Sequence, residues 1–179
     1  MSVDTTELEA FGARLEALKK ELPQIVEELA VGEGDYAVKQ AKLICKNEPG
    51  LVNTGNYRKN WHAGEKARRS GNSYQIDVYN NVDYAKPLEY GYRGHWTPGH
   101  WEGKTFVYVK GAKEGQYFPF KRGHFVLRRS IKRTQTTQDA RLSRKITQIL
   151  NERLDPEGTA KRRQKRKEAA AGQSRGKED

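Results

Sequence analysis

An apolar stripe near the N-terminus narrows the possible folds of this chain more than any other pattern. Seven apolar residues recur there at alternating spacings of three and four positions: Leu8, Phe11, Leu15, Leu18, Leu22, Ile25 and Leu29. A period of 3.5 residues puts them on one side of an α-helix. Pro23 would bend or restart this helix, because proline fits without strain only in the first turn. Gly32 and Gly34 indicate a break, so we expect an N-terminal helical segment over residues 1–34.

Beyond residue 34 the hydrophobic pattern changes between helical and extended periods. A second helix is predicted over residues 35–46, and residues 73–79 alternate as a half-buried strand does. A long helix is predicted over residues 125–153, where the apolar positions again recur with a helical period. The predicted fold class is therefore α+β, with a small antiparallel sheet between long N-terminal and C-terminal helices. Residues 35–154 would form the main domain.

Residues 94–120 are dense in aromatic side chains. They hold seven of the 17 Phe, Trp and Tyr residues of the chain: Trp96, Trp101, Phe106, Tyr108, Tyr117, Phe118 and Phe120. Residues 104–110 alternate as a strand, and residues 116–121 return after a glycine-bounded turn, which predicts a β-hairpin arm. A two-stranded hairpin is marginal by itself in water, so its rings must rest on the same domain or on a neighbouring subunit.

We favour the second alternative, an arm at a subunit interface, because a connection of this length exceeds what ordinary packing requires. The predicted interface residues are the aromatic side chains of the two strands and of the segment before them: Trp96, Trp101, Phe106, Tyr108, Tyr117 and Phe118. A lid over the domain's own core is the other possibility.

Charge is distributed unevenly along the sequence, whose formal net charge is +11. Residues 1–35 have three basic and nine acidic residues, whereas residues 36–154 have 23 basic and nine acidic ones. An acidic first helix and a basic body can stack head to tail with copies of the same chain. The basic body could equally face DNA.

The C-terminal segment, residues 155–179, lacks aromatic residues and is predicted to be a disordered basic tail. Its basic run consists of six residues within seven positions: Lys161, Arg162, Arg163, Lys165, Arg166 and Lys167. Such a run can contact DNA phosphates without sequence specificity, and a solvated tail without a partner is the alternative.

Several classes of protein are disfavoured by the residues that are present. The single cysteine, Cys45, rules out an intrachain disulfide and a CxxC site, and its apolar neighbours predict a buried thiol. The four histidines fit no metal-binding spacing, and no cofactor is predicted. Neither a carboxylate cluster nor a Ser/His/Asp arrangement is recognisable, so we expect no enzyme. The longest apolar run, residues 106–109, is too short for a bilayer, so we expect no membrane partner and synthesis in a reducing cytoplasm.

Four short motifs follow one another in a fixed order. They are Val52-Asn53-Thr54-Gly55-Asn56-Tyr57-Arg58, Asn81-Val82-Asp83-Tyr84-Ala85, Leu88-Glu89-Tyr90-Gly91 and Gly123-His124-Phe125-Val126-Leu127. This order resembles the tail-completion, or head–tail joining, family of long-tailed bacteriophages. The motif residues predicted to have structural roles are Asn53, Thr54, Gly55, Arg58, Tyr84, Glu89 and Gly91. Capping and packing are expected at Thr54, Gly55 and Arg58, with Arg58 pairing to Glu89 or to another subunit as the alternative. Glu89 lies between apolar neighbours and would need an interior partner if it is buried.

The resemblance implies a virion structural protein of the head–tail neck or upper tail, made in the host cytoplasm. Such a protein completes the tail or joins it to the head, as a ring oligomer around the DNA passage. The implied partners are copies of itself, the phage connector, and tail-tube or tail-terminator proteins. The rival prediction is a nucleic-acid-binding protein without sequence specificity, which would use the basic body and the tryptophans Trp96 and Trp101.

Overall fold

The computed structural model describes residues 5–48, 51 and 55–175 of the chain. Its helices are α1 (Thr6–Asn47), α2 (Asn56–Lys59), α3 (Ala85–Tyr90), α4 (Val126–Leu154) and α5 (Pro156–Arg175). The predicted motif residues Asn53 and Thr54 lie outside the described residues. Within the described ranges, no helix combines the length and the hydrophobicity that crossing a bilayer requires.

Nine short strands complete the described secondary structure. They are β1 (Trp61–Ala63), β2 (Arg68–Ser70), β3 (Ser73–Gln75), β4 (Val78–Asn80), β5 (Gly91–Tyr92), β6 (His95–Glu102), β7 (Thr105–Tyr108), β8 (Gly115–Phe118) and β9 (Lys121–Arg122). All pairings are antiparallel and form the sheets β1-β4, β2-β3, β5-β9 and β7-β6-β8. The predicted α+β class is therefore confirmed. The strand predicted over residues 73–79 divides into β3 and β4, which pair with different partners.

The chain groups into two compact units. One comprises residues 1–32, 66–75 and 135–179, and the other comprises residues 33–65 and 76–134. The domain boundaries predicted from the sequence, 1–34, 35–154 and 155–179, stay a prediction.

Helix α1 runs without a break through the two glycines at which the sequence predicts its end. That prediction is wrong because Gly34 serves close packing. A Cβ atom on Gly34 would lie 2.8 Å from Cγ1 of Ile76 and 3.2 Å from Cβ of Ala63. The absence of a side chain therefore lets the helix approach the residues beside β1 and β4.

The hydrophobic core of the second unit lies where α1, α2 and the start of α4 meet. Its buried members are Val38, Ala41, Ile44, Cys45, Leu51, Tyr57, Trp61 and Val126. Cys45 is fully buried, and burial raises the pKa of its thiol. The thiol thus behaves as the small apolar side chain that the sequence predicts.

Helix α5 corrects the prediction of a disordered tail for Pro156–Arg175. Asp155 caps this helix, since its Oδ1 accepts a hydrogen bond of 2.9 Å from the Gly158 amide, and Pro156 stands at the first helical position. Most residues of α5 are strong helix formers (Ala, Arg, Lys, Gln and Glu). Local propensity and the cap therefore form the helix without an apolar face.

The aromatic segment 94–120 is an antiparallel sheet, but its pairing differs from the predicted hairpin. The strands β7 and β8 do not pair with each other. Both pair with β6, a strand that was not predicted from the sequence. The half of β6 before Gly99 pairs with β8, and the half from Gly99 onward pairs with β7. Pro98 and Gly99 interrupt the alternating pattern from which a strand is predicted, because both residues are rare inside strands. This is why β6 was not predicted.

Candidate functional site

The described residues of the four sequence motifs lie in one unit, and three of the motifs meet around a buried carboxylate. Glu89 of α3 is only 6% exposed. Its Oε2 accepts hydrogen bonds from the Leu127 amide at 3.0 Å and from the Tyr57 hydroxyl at 3.4 Å. Its Oε1 accepts one from the Arg128 amide at 3.2 Å. These three donors are the interior partners that the burial of Glu89 requires, and through them Glu89 connects α2 and α3 to the first turn of α4.

The position of Glu89 is also electrostatically favourable. The first turn of a helix has backbone N–H groups without intrahelical acceptors and the positive end of the helix dipole. The carboxylate of Glu89 satisfies two such groups of α4 from a different helix. Burial, followed by the charge of Glu89, strongly raises the pKa of the Tyr57 phenol, so this hydroxyl remains a hydrogen-bond donor.

The side chain of α2 that donates to Glu89 is Tyr57, whereas the sequence suggested the neighbouring Arg58 as a partner. Tyr57 and Trp61 are both nearly buried, and their ring centroids are 5.4 Å apart in an edge-to-face arrangement. Because they are four residues apart, Tyr57 in α2 and Trp61 just after it, both side chains point into the hydrophobic core. Gly55 precedes α2 with φ 77° and ψ −3°, a left-handed conformation that favours glycine.

Backbone contacts add to this junction. The amides of His124 and Phe125 donate to the carbonyls of Leu88 and Glu89 at 2.8 and 3.0 Å. Directly beyond, Gly91 pairs with Arg122 in the sheet β5-β9. The backbone of the third motif therefore lies directly against that of the fourth.

Asn80, just before the second motif, has a role that the sequence did not predict. The Asn80 side chain donates to the Tyr57 carbonyl at 2.7 Å and accepts from the Val82 amide at 3.1 Å, so it joins α2 to the segment before α3. Asparagine is a common turn residue, so the sequence around Asn80 predicts only an ordinary turn and not this bridging role. Tyr84, a predicted motif residue, stands at the N-cap position of α3 with a largely open side chain.

A polar cluster lies beside the junction, on the C-terminal end of α1 and the N-terminal end of α4. Glu48 Oε1 is 3.0 Å from His124 Nδ1, and its other oxygen is paired with the Arg129 guanidinium. Arg129 also donates to the His124 carbonyl. Hydrogen bonding from His124 and Arg129 lowers the pKa of the Glu48 carboxyl, although partial burial opposes this.

We expect acid to destabilise the fold through Glu48. A carboxyl whose pKa is lower in the folded state stabilises the protein above its unfolded pKa, and this stabilisation is lost as pH falls through the folded value. Urea unfolding between pH 6 and pH 3 should therefore show a steeper loss of stability for the natural chain than for Glu48→Gln. Equal slopes over this range would contradict the role assigned to Glu48.

The aromatic sheet β7-β6-β8 is the second candidate site. One face has a row of rings in contact: Tyr92, His95, Phe118, Phe106 and Trp101, with successive centroids 5.3–5.8 Å apart. Trp96 and Tyr117 pair across the strands and, by strand alternation, lie on the opposite face.

Most of the predicted interface residues of this sheet are open to solvent. The exposed fractions are 57% for Trp96, 53% for Trp101, 61% for Tyr108 and 55% for Tyr117. Phe106 and Phe118 are half-buried in the ring row. Within its unit, the sheet therefore leaves large aromatic side chains uncovered, and it has two short edge strands.

The predicted DNA-contacting residues lie on α5. Arg162 pairs with Asp155 at 2.8 Å, and Arg163 pairs with Glu152 of α4. All six basic side chains from Lys161 to Lys167 are exposed. The described part of the chain contains no group of three His, Cys, Asp or Glu side chains that could hold a metal ion.

One family model is similar to part of this chain. The family model HK97-gp10-like, described as "Bacteriophage HK97-gp10, putative tail-component", matches residues 9–91. The predicted resemblance to phage tail proteins is confirmed over that range. The match supports the class of phage tail components for the part that it covers, which is less than half of the chain. No curated protein and no solved structure matches the chain.

The matched range includes most of α1, all of α2 and α3, and the motif residues Glu89 and Gly91. The aromatic sheet, α4 and α5 follow the matched range. The part that is similar to the HK97-gp10-like family therefore contains the buried carboxylate, whereas the exposed aromatic and basic surfaces lie outside it.

Proposed function

We propose that this tail component completes the phage tail or joins it to the head, as a ring of identical subunits around the DNA passage. Its partners would be the phage connector on one side and tail-tube or tail-terminator proteins on the other. The match to the tail family supports the class, and the open aromatic sheet is the observation that carries the proposal of assembly. The protein would act by binding its neighbours and not by catalysis.

The chemistry of the motif junction supports a structural role. Both oxygens of Glu89 already accept hydrogen bonds from Leu127, Arg128 and Tyr57. A carboxylate that is engaged in this way and is 6% exposed is poorly placed to act as a base or to bind a substrate. The junction instead stabilises the body from which the aromatic sheet projects.

The aromatic sheet has the composition of a protein–protein interface. Tryptophan and tyrosine are enriched among residues that dominate binding energies, because they bury a large area at a low cost in conformational entropy. Four of them are more than half exposed on a sheet of three short strands. A neighbouring subunit that covers Trp101 and Tyr108 would remove this apolar area from water.

We expect Trp101→Ser combined with Tyr108→Ser to weaken the self-association of the full chain at least about 30-fold, since a hot-spot residue contributes about 2 kcal/mol or more. Sedimentation velocity over a range of concentrations would measure this. The matched control is Tyr79→Ser, a 45% exposed tyrosine of β4 outside the aromatic sheet, which should leave the mass unchanged.

A chain that stays monomeric at all concentrations, even with the tail-tube and connector proteins of the same phage, would contradict the ring. An unchanged oligomer in the double variant would contradict the aromatic interface alone. Both variants should keep the natural midpoint of urea unfolding, because the substituted side chains are largely exposed.

The basic face of α5 supports a second candidate function, binding of nucleic acid without sequence specificity. Lysine and arginine contacts to phosphates release counterions, so the affinity for duplex DNA should fall steeply as salt increases. Replacing Lys165, Arg166 and Lys167 with glutamine should reduce the slope of log K against log salt by about two to three. Binding that is tight at physiological salt and is lost in Trp96→Ala would favour this function over the ring.

A further inference from the structure

The N-terminal part of α1 has an apolar strip that its own unit leaves largely open. The exposed members lie on one side of the helix: Leu8, Phe11, Leu15, Leu22 and Val26. They are 37–71% exposed, whereas Leu18 on the neighbouring side is 7% exposed. At 1.5 Å per residue, the strip is about 27 Å long. Four of these residues belong to the apolar stripe from which the helix was predicted, and Val26 lies beside it. The predicted stripe is therefore only partly used for packing.

The C-terminal half of α4 runs antiparallel to this part of α1. Arg14 donates to the Leu154 carbonyl at 2.9 Å, and Arg153 pairs with Glu21 at 2.9 Å. Further along, the Lys145 ammonium approaches Gly32. This register places Leu22 and Val26 of α1 near the level of two α4 residues that are also about 40% exposed, Ile146 and Leu150.

Helices α1 and α4 contact each other along one line, which we call the seam. Each helix therefore leaves part of its apolar side uncovered. A residue in an α-helix is rotated by about 100° from the one before it. For antiparallel helices, this rotation puts the open strip of α1 and the open residues of α4 on the same side of the seam. We call this surface the α1/α4 face. Bundles of four helices cover such a face with a second helical pair.

Charge selects which helices would meet on that face. Residues 6–32 contain six acidic and three basic residues, a net charge of −3. Residues 135–168 contain ten basic and five acidic residues, a net charge of +5. Two copies of α1 would repel each other, whereas α1 of one copy and α4–α5 of another would attract. Glu9 and Glu16 are exposed and lie beside the strip, on the side away from Leu18. Glu9 precedes Leu15 along the helix and Glu16 follows it.

We propose that the α1/α4 face is a second contact between copies of this chain, in which α1 of one copy lies against α4–α5 of the next. The inference rests on the proposed homo-oligomer and adds to it a contact separate from the aromatic sheet. Leucine and isoleucine side chains form the centre of the contact, and the opposite charges orient the two copies. A head-to-tail arrangement of this kind can close into a ring.

Reversed charges test the pairing of the two helices. Variant A has Glu9→Lys with Glu16→Lys on α1, which changes the net charge of residues 6–32 from −3 to +1. Variant B has Arg144→Glu, Lys161→Glu and Lys165→Glu on α4 and α5, which changes the net charge of residues 135–168 from +5 to −1. Either variant alone places like charges against each other at every α1–α4 contact, so its self-association should weaken at least tenfold. In an equimolar mixture, the basic α1 of A faces the acidic α4–α5 of B, and the acidic α1 of B faces the basic α4–α5 of A. Association should therefore recover in the mixture.

Apolar substitutions give an independent measurement. Leu15→Ser with Leu22→Ser should weaken self-association at least tenfold, whereas Ala13→Ser with Ala17→Ser, on the rest of the same helix, should not. Circular dichroism and urea unfolding establish that each variant is folded. Oligomers of unchanged mass in the leucine variant, or a folded mixture of A and B that fails to associate, would overturn the inference.

The outcomes separate this inference from the proposed function. If the aromatic-sheet variant dissociates and the α1 variants do not, the ring stands and the α1/α4 contact is wrong. If the natural chain is monomeric under all conditions, both are wrong. If variant B loses affinity for duplex DNA while its oligomer is unchanged, α5 binds nucleic acid and not α1 of a second copy.

Discussion

Replacing Glu89 with alanine should lower the free energy of unfolding by about 4 kcal/mol, since each buried donor left without an acceptor costs about 1–3 kcal/mol. The amides of Leu127 and Arg128 and the hydroxyl of Tyr57 would all lose their acceptor. The side chain is 6% exposed, so water cannot easily replace the carboxylate. Urea unfolding followed by tryptophan fluorescence would measure the change, because Trp61 lies in the adjacent core.

Tyr57→Phe is the matched control for this variant. It removes one hydrogen bond to Glu89 and keeps the ring against Trp61, so it should cost about 1 kcal/mol. Glu89→Gln should lie between the two, since the amide retains one acceptor oxygen but turns two donors toward backbone N–H groups. A loss for Glu89→Ala no larger than that for Tyr57→Phe would show that the carboxylate does not hold the first turn of α4.

The second large effect is expected at Gly91, where alanine should cost about 3–4 kcal/mol from strain and overpacking together. Gly91 has φ 79° and ψ −175°, a conformation that is essentially restricted to glycine. An added Cβ would lie 2.3 Å from the Lys121 carbonyl oxygen and 2.6 Å from the Gly123 amide nitrogen. Both are backbone atoms, so no side-chain rotation relieves the clash, and the sheet β5-β9 must shift.

Gly111→Ala separates strain from close packing. Gly111 also has φ 79°, but nothing lies within 4 Å of its added Cβ. This variant should cost about 1–2 kcal/mol, the penalty of the left-handed conformation alone. Thermal unfolding of the two variants side by side would measure the difference. Equal losses would mean that the approach of Gly91 to residues 121–123 contributes nothing to stability.

The two sites differ in how far they could be predicted. The i, i+4 spacing of Tyr57 and Trp61 predicts a shared buried face, which the structure has. The apolar neighbours of Glu89 predict that it needs an interior partner, but the partners are 32 to 39 residues away in sequence. A local sequence pattern cannot show which distant residues meet. Arg58 was therefore suggested as the partner of Glu89, whereas the neighbouring Tyr57 makes the hydrogen bond.

In the aromatic segment, the exposure of the rings was predicted correctly but the pairing of the strands was not. Its composition predicts exposed rings that need a cover, and four of the side chains are more than half exposed within their unit. Its strand pairing was mispredicted, because Pro98 and Gly99 interrupt the alternation in the strand that proves central. A strand with one half paired on one edge and the other half on the opposite edge has no simple period-two signature.

Local patterns alone were enough to predict the α+β class, the helical residues of α1 and α4, the buried thiol and the order of motifs that resembles phage tail proteins. They did not predict that α1 is continuous or that α5 is a helix. They depend on side-chain periodicity and on residue preferences that act over a few positions. Contacts between distant segments determine the other features. Gly34 was predicted to end a helix, but it lies inside α1 and allows close packing. Glu89 supplies the hydrogen-bond acceptor for the first turn of α4. The physical reason is that burial and hydrogen-bond satisfaction depend on which segments meet in space, and only the folded chain brings them together.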